Sequence, residues 1–300
     1  MSLPPFLRPL KRSLVRRSEI LRRYDDRRWI IRRYRSIHGK DLDIKDPKTF
    51  TEKLFCKMLS VSRSGSATMT MLADKFLARE YVAEKIGKNH LVDLLWTGFD
   101  PTLVPFDSLP SQWVIKANHG SGMNIIVRGA HDREAIIQTM RKWLSTNYYA
   151  EYYHVAREYH YNDIAPRILV ESLLDDGRED GPLGYRFWCF AGQPALIHVM
   201  DHRRTINPFY DLNWQKLPLR YAPERPDVDI PKPMNYESML AIASKLSSDL
   251  DFVRLDLYNI EGRIYFGEFT FFPRGGYLKF VPEHWDLDLG RKWVLDKLPG

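Results

Sequence analysis

The sequence predicts an α+β fold of two packed lobes, preceded by a basic helical extension. The chain has 300 residues, more than a single domain usually contains. Helix-like and strand-like segments alternate irregularly and hairpin signals recur, which is typical of α+β folds and not of a doubly wound parallel sheet. Residues 1–40 hold 13 Lys and Arg against 3 Asp and Glu, whereas the rest of the chain carries a net charge of −3. The basic character therefore belongs to the extension.

The extension contains the arginine-rich run SLVRRSEILRRYDDRRWIIRRYR. Its apolar residues Ile20, Tyr24, Ile31 and Tyr34 fall at spacings that predict one face of a helix. Three interpretations stay open: a solvated helix packed on the body, a segment that docks on an anionic membrane surface, and a nucleic-acid-binding arm. No aromatic-rich RNA-binding signature follows the run, so nucleic acid ranks last among these partners.

The remaining composition predicts a soluble, cytoplasmic protein, with peripheral contact at the inner membrane face as an option for the extension. No segment resembles a signal peptide or reaches 18 uncharged apolar residues. Cys56 and Cys189 lie in apolar runs without metal-ligand spacing, which favours a reducing compartment. His119, His198 and His202 lack the spacing of a zinc site, and no GxSxG elbow occurs, so neither zinc nor a serine triad is predicted.

The body opens with two predicted helices, TEKLFCKMLS and ADKFLAREYVAEKIG, separated by the Ser-rich loop SRSGSATM. The second helix ends at Gly87, as a C-cap would. The run QWVIKANHGSGMNIIVRG predicts a strand, a glycine loop and a strand; residues 132–161 are predicted helical, and PRILVESLL is another strand. A hairpin turning at residues 191–193 and the helix YESMLAIASKLSSDL precede the final hairpin.

Lys116 lies at the end of the first of these strands, directly before the glycine loop. A lysine beside a loop of small residues with free backbone N–H groups is suited to phosphate, although the loop is not GxxxxGK[ST] because the lysine precedes the glycines. Further along, the turn PRGG offers backbone N–H groups and the Arg274 guanidinium to an anion such as a substrate carboxylate. An ordinary hairpin and an ordinary turn are the alternatives for these two segments.

The final hairpin, DFVRLDLYNIEGRIYFGEFTFFP, carries two carboxylates on neighbouring strands. Alternation places Asp256 on one face with Arg254, and Glu268 on one face with Phe266 and Thr270. Simple pairing around Glu261-Gly262 is expected to place Arg254 and Asp256 across from Glu268 and Thr270. Carboxylates this close repel unless they share a cation, which predicts Mg²⁺ or a guanidinium between them. A cross-strand Arg254–Glu268 salt bridge with a solvated Asp256 is the alternative.

Taken in order, KDPKTFTEKL, DKFLAREYV, KANHGSG, GYRF and FGEFTFFP resemble the motifs of the TupA-like ATP-grasp family of polysaccharide-biosynthesis proteins. The resemblance implies an ATP-grasp fold, in which two α+β lobes grip ATP. It implies a basic helical arm in residues 1–44, an N-terminal lobe in 45–110, an ATP-grasp subdomain with the glycine loop in 111–175, and a C-terminal lobe with the metal-binding strands in 176–300.

The resemblance also implies roles for the hairpin residues. Asp256 and Glu268 would hold Mg²⁺, with Thr270 at the third ligand position, where most ATP-grasp enzymes have Asn. Arg254 would steady the transferring phosphoryl group, and the implied catalytic residues are Arg254, Lys116 and Arg274.

The implied ATP contacts come from several segments. Lys75 and Lys116 would contact the α- and β-phosphates. A mobile loop would close over the triphosphate, and a hinge segment would contact the adenine. One strand would supply a further phosphate contact, although its sequence GYRF departs from the family's usual DYKF. These residues are His119, Gly120, Ser121, Gly122 and Met123 for the loop, Glu171, Ser172, Leu173 and Leu174 for the hinge, and Arg186 for the strand.

The implied activity is that of an ATP-dependent carboxylate–amine ligase with an acylphosphate intermediate and an amide product. Its partners would be ATP, Mg²⁺, a carboxylate and an amine, with an amino acid joined to a sugar carboxylate during polysaccharide biosynthesis. A kinase on the same fold, a glycosyltransferase and a noncatalytic nucleotide-binding module are the alternatives.

Overall fold

The computed structural model describes residues 25–152, 155–179, 181–221 and 225–295. Two antiparallel sheets, of four and six strands, organise these residues, and a two-stranded ribbon accompanies them. Helices cover the faces of the sheets that do not carry the charged residues of the site. Within the described residues, no helix is long and apolar enough to cross a bilayer.

The first helix, α1, covers residues 25–38. Ile30, Tyr34 and Ile37 follow the spacing of one helical face and are buried in the main hydrophobic core, with Ile31 packed beside them. Of the residues predicted to form the apolar face, Tyr34 is buried and Ile31 packs beside it, while Ile20 and Tyr24 lie outside the described residues. Ile30 and Ile37 complete the observed face. The opposite face exposes three arginines at one-turn spacings, Arg28, Arg32 and Arg35.

Three helices follow: α2 (Phe50–Ser64), α3 (Ala67–Ala73) and α4 (Lys75–Ile86). A capping box between Thr49 and Glu52 begins α2, and Asp74 caps α4 by accepting two backbone N–H groups. The predicted Ser-rich loop is wrong over most of its length, because Ser66 acts as an N-cap and allows α3 to form. Gly87, at φ +93°, ends α4 as predicted.

The smaller sheet has the strand order β1-β4-β2-β3, with β1 (Leu94–Gly98), β2 (Gln112–Ala117), β3 (Asn124–Arg128) and β4 (Ile168–Ser172). Trp113 and Ile115 on one face pack with Ile136 and Met140 of helix α5 (Arg133–Ser145) in a separate core. The predicted helix over 132–161 breaks after Ser145, where a short helix, α6 (Tyr148–Glu151), begins with Asn147 as N-cap.

The larger sheet has the order β11-β10-β5-β6-β7-β8. Leu255 and Leu257 of β10 lie on its apolar face, where α7 (Tyr236–Ser247) covers the sheet with residues such as Met239 and Leu246. The opposite face carries the charged residues of the site. The strands are β5 (Gly184–Phe190), β6 (Gln193–Met200), β7 (Phe209–Tyr210), β8 (Lys216–Leu217), β10 (Phe252–Ile260) and β11 (Arg263–Thr270), while β9 (Arg220–Tyr221) and β12 (Phe280–Val281) form the ribbon.

The last helix, α8 (His284–Lys292), closes the fold against α2. Its buried Asp286 accepts the backbone N–H of Thr51 at 2.8 Å and the Thr51 hydroxyl at 2.6 Å. Lys53 donates to the carbonyl of Gly290 at 2.7 Å. These contacts join the two ends of the described chain, so the N-terminal helices are part of the same packed body as the larger sheet.

Candidate functional site

The two carboxylates of the final hairpin lie directly opposite each other, Asp256 on β10 and Glu268 on β11. The prediction that Phe266 shares a face with Glu268 is wrong, because a β-bulge at Gly267 shifts the register and pairs Phe266 with Leu257 on the apolar face. If β11 continued past Phe266 without a bulge, Asp256 would pair with Gly267, and the side chain of Glu268 would point toward the core. A one-residue slip in register exchanges the two faces of a strand. The bulge therefore creates the carboxylate pair.

Gly267 fits the bulge because it has no side chain. A Cβ there would lie 2.9 Å from the backbone oxygen of Asp256 and 2.9 Å from a ring carbon of Tyr258. The Asp256 backbone is fixed by strands on both sides, β5 and β11. Only glycine allows this approach without displacing a strand.

Arg254 holds both carboxylates. Its Nε and Nη2 donate to the two oxygens of Asp256, each at 2.7 Å, and Nη2 also donates to Oε1 of Glu268 at 2.8 Å. Arg186, opposite Asp256 on β5, brings its Nε to 3.3 Å from Oδ2 of the same carboxylate. The Thr270 hydroxyl donates to Oε1 of Glu268 at 2.9 Å. Two guanidiniums thus neutralise the pair.

The two carboxylates differ in environment. Asp256 is 5% exposed and not solvated, whereas about half of the Glu268 side chain is exposed. Burial raises the pKa of Asp256 in spite of Arg254 and Arg186. Burial acts in the same direction on Glu268, but Arg254, Lys75 and Arg186 together outweigh it and lower the pKa of that carboxyl. Glu268 is the more accessible anion of the two.

Lys75 is the first residue of α4, after its N-cap Asp74. Its backbone N–H donates to the carbonyl of Asn118 at 3.2 Å, and its Nζ donates to the carbonyl of Gly120 at 2.5 Å. Burial, opposed by Glu268 and reinforced by Lys116, lowers the pKa of Lys75 to about 8. A half-buried ammonium tied to the glycine loop is a cation positioned for an anionic ligand.

Lys116 and Arg79, both half-buried, form an ion-pair chain with the buried Glu171. The Lys116 Nζ donates to Oε2 of Glu171 at 2.7 Å, and Nη1 of Arg79 donates to Oε1 at 2.5 Å. Arg79 also donates to the carbonyl of Val92 at 2.6 Å. Burial disfavours the charged forms, but the paired charges outweigh it, so the pKa of Lys116 is raised and that of Glu171 is lowered. Glu171 therefore orients Lys116 on the face of β2 and β4.

The same face of the smaller sheet offers an apolar surface. Val114 and Leu169 are buried but belong to neither hydrophobic core, and Ile126 beside them is 40% exposed. Of the hinge residues, the backbone N–H of Ser172 donates to the carbonyl of Asp93 at 3.0 Å. Leu173 and Leu174 follow β4 and are half-buried.

The glycine loop divides into a buried base and an exposed tip. His119 is 1% exposed, with Nδ1 at 3.2 Å from Oδ1 of Asn118 and Nε2 at 3.1 Å from the carbonyl of Thr146. Gly120 is buried against Tyr148, where a Cβ would lie 2.4 Å from the ring. The exposed tip consists of Ser121 and Gly122, and Met123 returns to the core. In this conformation the tip, and not the imidazole, faces solvent.

Charges from both sheets act on one another across a common site. The pKa of Lys75 responds to burial and then to Glu268 of the larger sheet and Lys116 of the smaller one. Burial raises the pKa of Tyr258; the charge of Lys116 lowers it, and the charges of Asp256 and Glu268 raise it. The charged faces of the two sheets are therefore close enough for their charges to interact.

The site has the charge and donor types that Mg²⁺ and a polyphosphate need. Five basic side chains oppose three carboxylates, an excess suited to an anion: Lys75, Arg79, Lys116, Arg186 and Arg254 against Glu171, Asp256 and Glu268. Two carboxylates and the Thr270 hydroxyl are hard oxygen donors that fit Mg²⁺. Among the described residues no group of three or more His, Cys, Asp or Glu is placed to hold a metal, and Mg²⁺ commonly takes one or two carboxylates plus phosphate oxygens.

The sequence analysis missed several residues of this site. Arg79 had a signal, because it lies four residues after Lys75 on α4 and so on the same helical face. Tyr258 had one too, because it alternates with Asp256 on β10. Glu158 had no such signal in the sequence, because it comes from an irregular segment. Burial and the charge of Glu268 raise the pKa of Glu158 to about 8.

Arg274 lies at the rim of the site. Residues Pro273–Gly276 form a tight turn in which Arg274 and Gly275 both have left-handed backbone angles, with φ of 54° and 57°. The Arg274 guanidinium lies 5.8 Å from the ring centre of Tyr221, and its charge acts on both Tyr221 and His198. A non-glycine residue held in this conformation marks a strained turn shortly after β11.

Two cavities flank the site. One, of about 300 Å³, lies between α4 and residues 88–94 and shares Arg79 with the ion-pair chain. The other, of about 190 Å³, lies behind His119 and Tyr148. Neither is lined by Asp256 or Glu268, so the carboxylate pair lies outside both cavities.

Comparisons with known proteins agree with this geometry at the level of family. A family model described as TupA-like ATPgrasp matches residues 52–294. No curated protein matches the chain.

Solved structures resemble the chain at low identity. D-alanine–D-alanine ligase from Helicobacter pylori is 16% identical, with a TM-score of 0.46 over 75% of this chain and 62% of that one. The same enzyme from Bacillus anthracis, complexed with ATP, is 14% identical, with a TM-score of 0.40 over 70% and 60%. Phosphoribosylamine–glycine ligase from Thermotoga maritima is 11% identical, with a TM-score of 0.41 over 67% and 48%. The chain thus spans roughly half to three fifths of the length of these proteins.

Proposed function

The chain belongs to the TupA-like ATP-grasp family, and we propose that it is an ATP-dependent carboxylate–amine ligase. The observation that supports this proposal is the convergence of two lysines, two arginines and a carboxylate pair from both sheets on one site. Such a set neutralises and positions a triphosphate, which is what phosphoryl transfer requires of a protein. A covalent nucleophile is not needed.

In this proposal Lys75 and Lys116 contact the α- and β-phosphates, and the loop of residues 119–123 closes over the triphosphate. The hinge of residues 171–174 meets the adenine, while Val114 and Leu169 offer an apolar surface on the same face. Arg186 is a further phosphate contact. Glu171 keeps Lys116 extended toward the ligand through their 2.7 Å ion pair.

Asp256 and Glu268 would hold Mg²⁺, with Thr270 as a third oxygen donor. Bound Mg²⁺ would neutralise charge on the phosphate oxygens. Arg254 already contacts both carboxylates, so it stands next to the position where a γ-phosphate bound through these residues would lie. Its guanidinium would stabilise the transferring phosphoryl group, and Arg274 at the rim would bind the substrate carboxylate.

The proposed reaction joins two substrates at the expense of ATP. A substrate carboxylate attacks the γ-phosphorus, ADP leaves, and an acylphosphate forms. An amine then attacks the acyl carbon, and inorganic phosphate leaves to give an amide. By family resemblance, we propose an amino acid and a sugar carboxylate of a cell-surface polysaccharide as the substrate classes, with the exposed arginines of α1 as a contact to anionic lipid.

The experiment that tests this proposal incubates the protein with Mg²⁺, ATP and a panel of uronic acids and amino acids, and follows ADP, phosphate and amide by mass spectrometry. An amide with equimolar ADP and phosphate supports the ligase. A stable phosphorylated alcohol would identify a kinase, nucleotide-sugar binding without ATP would favour a glycosyltransferase, and a folded protein that binds no ATP would refute the proposal.

A pair of matched variants isolates the carboxylate. Glu268→Gln removes a metal-binding charge at nearly constant volume, and we expect turnover to fall by at least about 100-fold with the fold intact. Glu261→Gln removes the same charge from the exposed turn of the same hairpin and should leave turnover unchanged. Wild-type activity of Glu268→Gln would refute the assigned role.

A further inference from the structure

A row of polar residues crosses four strands of the larger sheet. Glu268 on β11 lies opposite Asp256 on β10, Asp256 opposite Arg186 on β5, and Arg186 opposite His198 on β6. Directly opposite residues share a face of the sheet, with Cβ atoms roughly 5 Å apart. His198 is thus the end of the row that contains the proposed Mg²⁺ ligands.

His198 is buried without the contacts that a buried imidazole requires. It is 1% exposed, and within the described part of the chain neither ring nitrogen has a hydrogen-bond partner. Its ring stacks on Phe209 at 4.2 Å and meets the edge of Tyr221 at 5.0 Å. A phenylalanine would satisfy these two ring contacts, so the ring nitrogens of this histidine need another explanation.

Arg186 stands between His198 and the carboxylates. Its Nε is 3.3 Å from Asp256, which Arg254 already binds through two hydrogen bonds. If Asp256 binds a cation instead, both guanidiniums must find other acceptors, because a divalent ion and two arginines would crowd one carboxylate. A neutral imidazole nitrogen on the opposite residue is such an acceptor for Arg186.

We infer that His198 is a positioning residue for Arg186: its ring accepts an N–H of the guanidinium when Asp256 is committed to Mg²⁺, and so holds Arg186 ready for phosphate. This inference rests on the proposed function. Burial and the charges of Arg186, Arg254 and Arg274 lower the pKa of His198 well below its usual value, which keeps the ring neutral and able to accept. In this role one of the two ring nitrogens gains a hydrogen-bond partner, the Arg186 guanidinium, only in the nucleotide-bound protein.

The test compares His198→Phe with His198→Asn and His198→Gln, which each keep an acceptor near one ring nitrogen. We measure thermal unfolding without ligand, and the Kd of a non-hydrolysable ATP analogue with Mg²⁺ by calorimetry. His198→Phe should unfold at or above the wild-type temperature yet bind the analogue roughly tenfold more weakly, since it loses one hydrogen bond to a charged group. Asn or Gln should restore most of the affinity.

The matched control is His38→Phe, in α1 and outside the site. It removes Nε2, which has no hydrogen-bond partner among the residues that the structure describes, from a ring that packs against Tyr34 and Phe55. It should leave the affinity unchanged. Equal affinity of His198→Phe and wild type would overturn the inference while leaving the proposed function intact, whereas a wild type that does not bind the analogue would overturn both.

A second measurement does not depend on the folding of a variant. In wild-type protein with ¹⁵N-labelled histidine, one nitrogen of His198 should shift to the position of a hydrogen-bond acceptor when Mg²⁺ and the analogue are added together. No shift of either nitrogen on saturation would overturn the inference.

Discussion

Replacing Gly267 with alanine perturbs the register of the carboxylate pair without removing any charge. The new Cβ would lie 2.9 Å from the backbone oxygen of Asp256 and 2.9 Å from the ring of Tyr258. A normal contact needs about 3.4 Å, so β11 must move away by about 0.5 Å or the bulge must shift along the strand. Both responses displace Glu268, the next residue.

The substitution is expected to lower both the stability and the turnover of the protein. Overpacking of this size costs about 1–3 kcal/mol, which lowers Tm by roughly 2–6 °C in a chain of this length. A displacement of catalytic groups by about 1 Å can reduce turnover by about 100-fold, so a shift of half that size should reduce it roughly tenfold, and a slipped register should abolish it. Thermal unfolding and the ligase assay measure these two effects separately.

The control for strain alone is Gly262→Ala in the turn of the same hairpin. Gly262 has φ +84° and nothing within 4 Å of a built Cβ, so alanine there costs about 1–2 kcal/mol of backbone strain and no clash. It should lower Tm by a similar amount and keep wild-type turnover. Wild-type turnover in Gly267→Ala, with Tm lowered as in the control, would refute the claim that the bulge positions Glu268.

Three further outcomes follow from the site and the fold. The pKa of Lys75 is lowered to about 8, and bound phosphate would favour the charged form, so affinity for an ATP analogue should fall as pH rises above about 8. Lys75→Arg should remove this pH dependence of the affinity. If the dependence persists in the variant, another group is responsible. Lys116→Met should weaken analogue binding at least roughly tenfold, seen by calorimetry, and unchanged affinity would exclude a phosphate contact. Deleting residues 1–40 removes the buried Tyr34 and should give insoluble protein, and a soluble deletion variant with wild-type Tm would show that α1 is not part of the core.

Local patterns in the sequence predicted the elements that depend on local physics. Gly87 ends α4 and the hairpin turns lie at residues 191–192 and 261–262, because capping and turn chemistry are decided within a few residues. The break after Ser145 was missed, because the helix period continues through it while Asn147 starts a new helix.

The site was predicted in its residue types but not in its partners. The alternation of β10 indicated that Asp256 and Arg254 share a face, but the face of Glu268 depends on a bulge that a lone glycine in a strand only suggests. The partner of Lys116, Glu171, comes from a strand 55 residues away, and such pairings are set by sheet topology.

Helix α1 connects the outer surface with the interior next to the site. Asp25 of α1 accepts from Nη2 of Arg157 at 3.0 Å, and the Arg157 guanidinium lies 5.0 Å from the ring centre of Trp29. Arg157 directly precedes Glu158, and the charge of Glu268 contributes to the raised pKa of the Glu158 carboxyl. A lipid headgroup bound to the exposed arginines would therefore hold a rigid part of the enzyme and not a loose tether. Docking by that route would fix the orientation of the site relative to the membrane, in addition to keeping the protein near it.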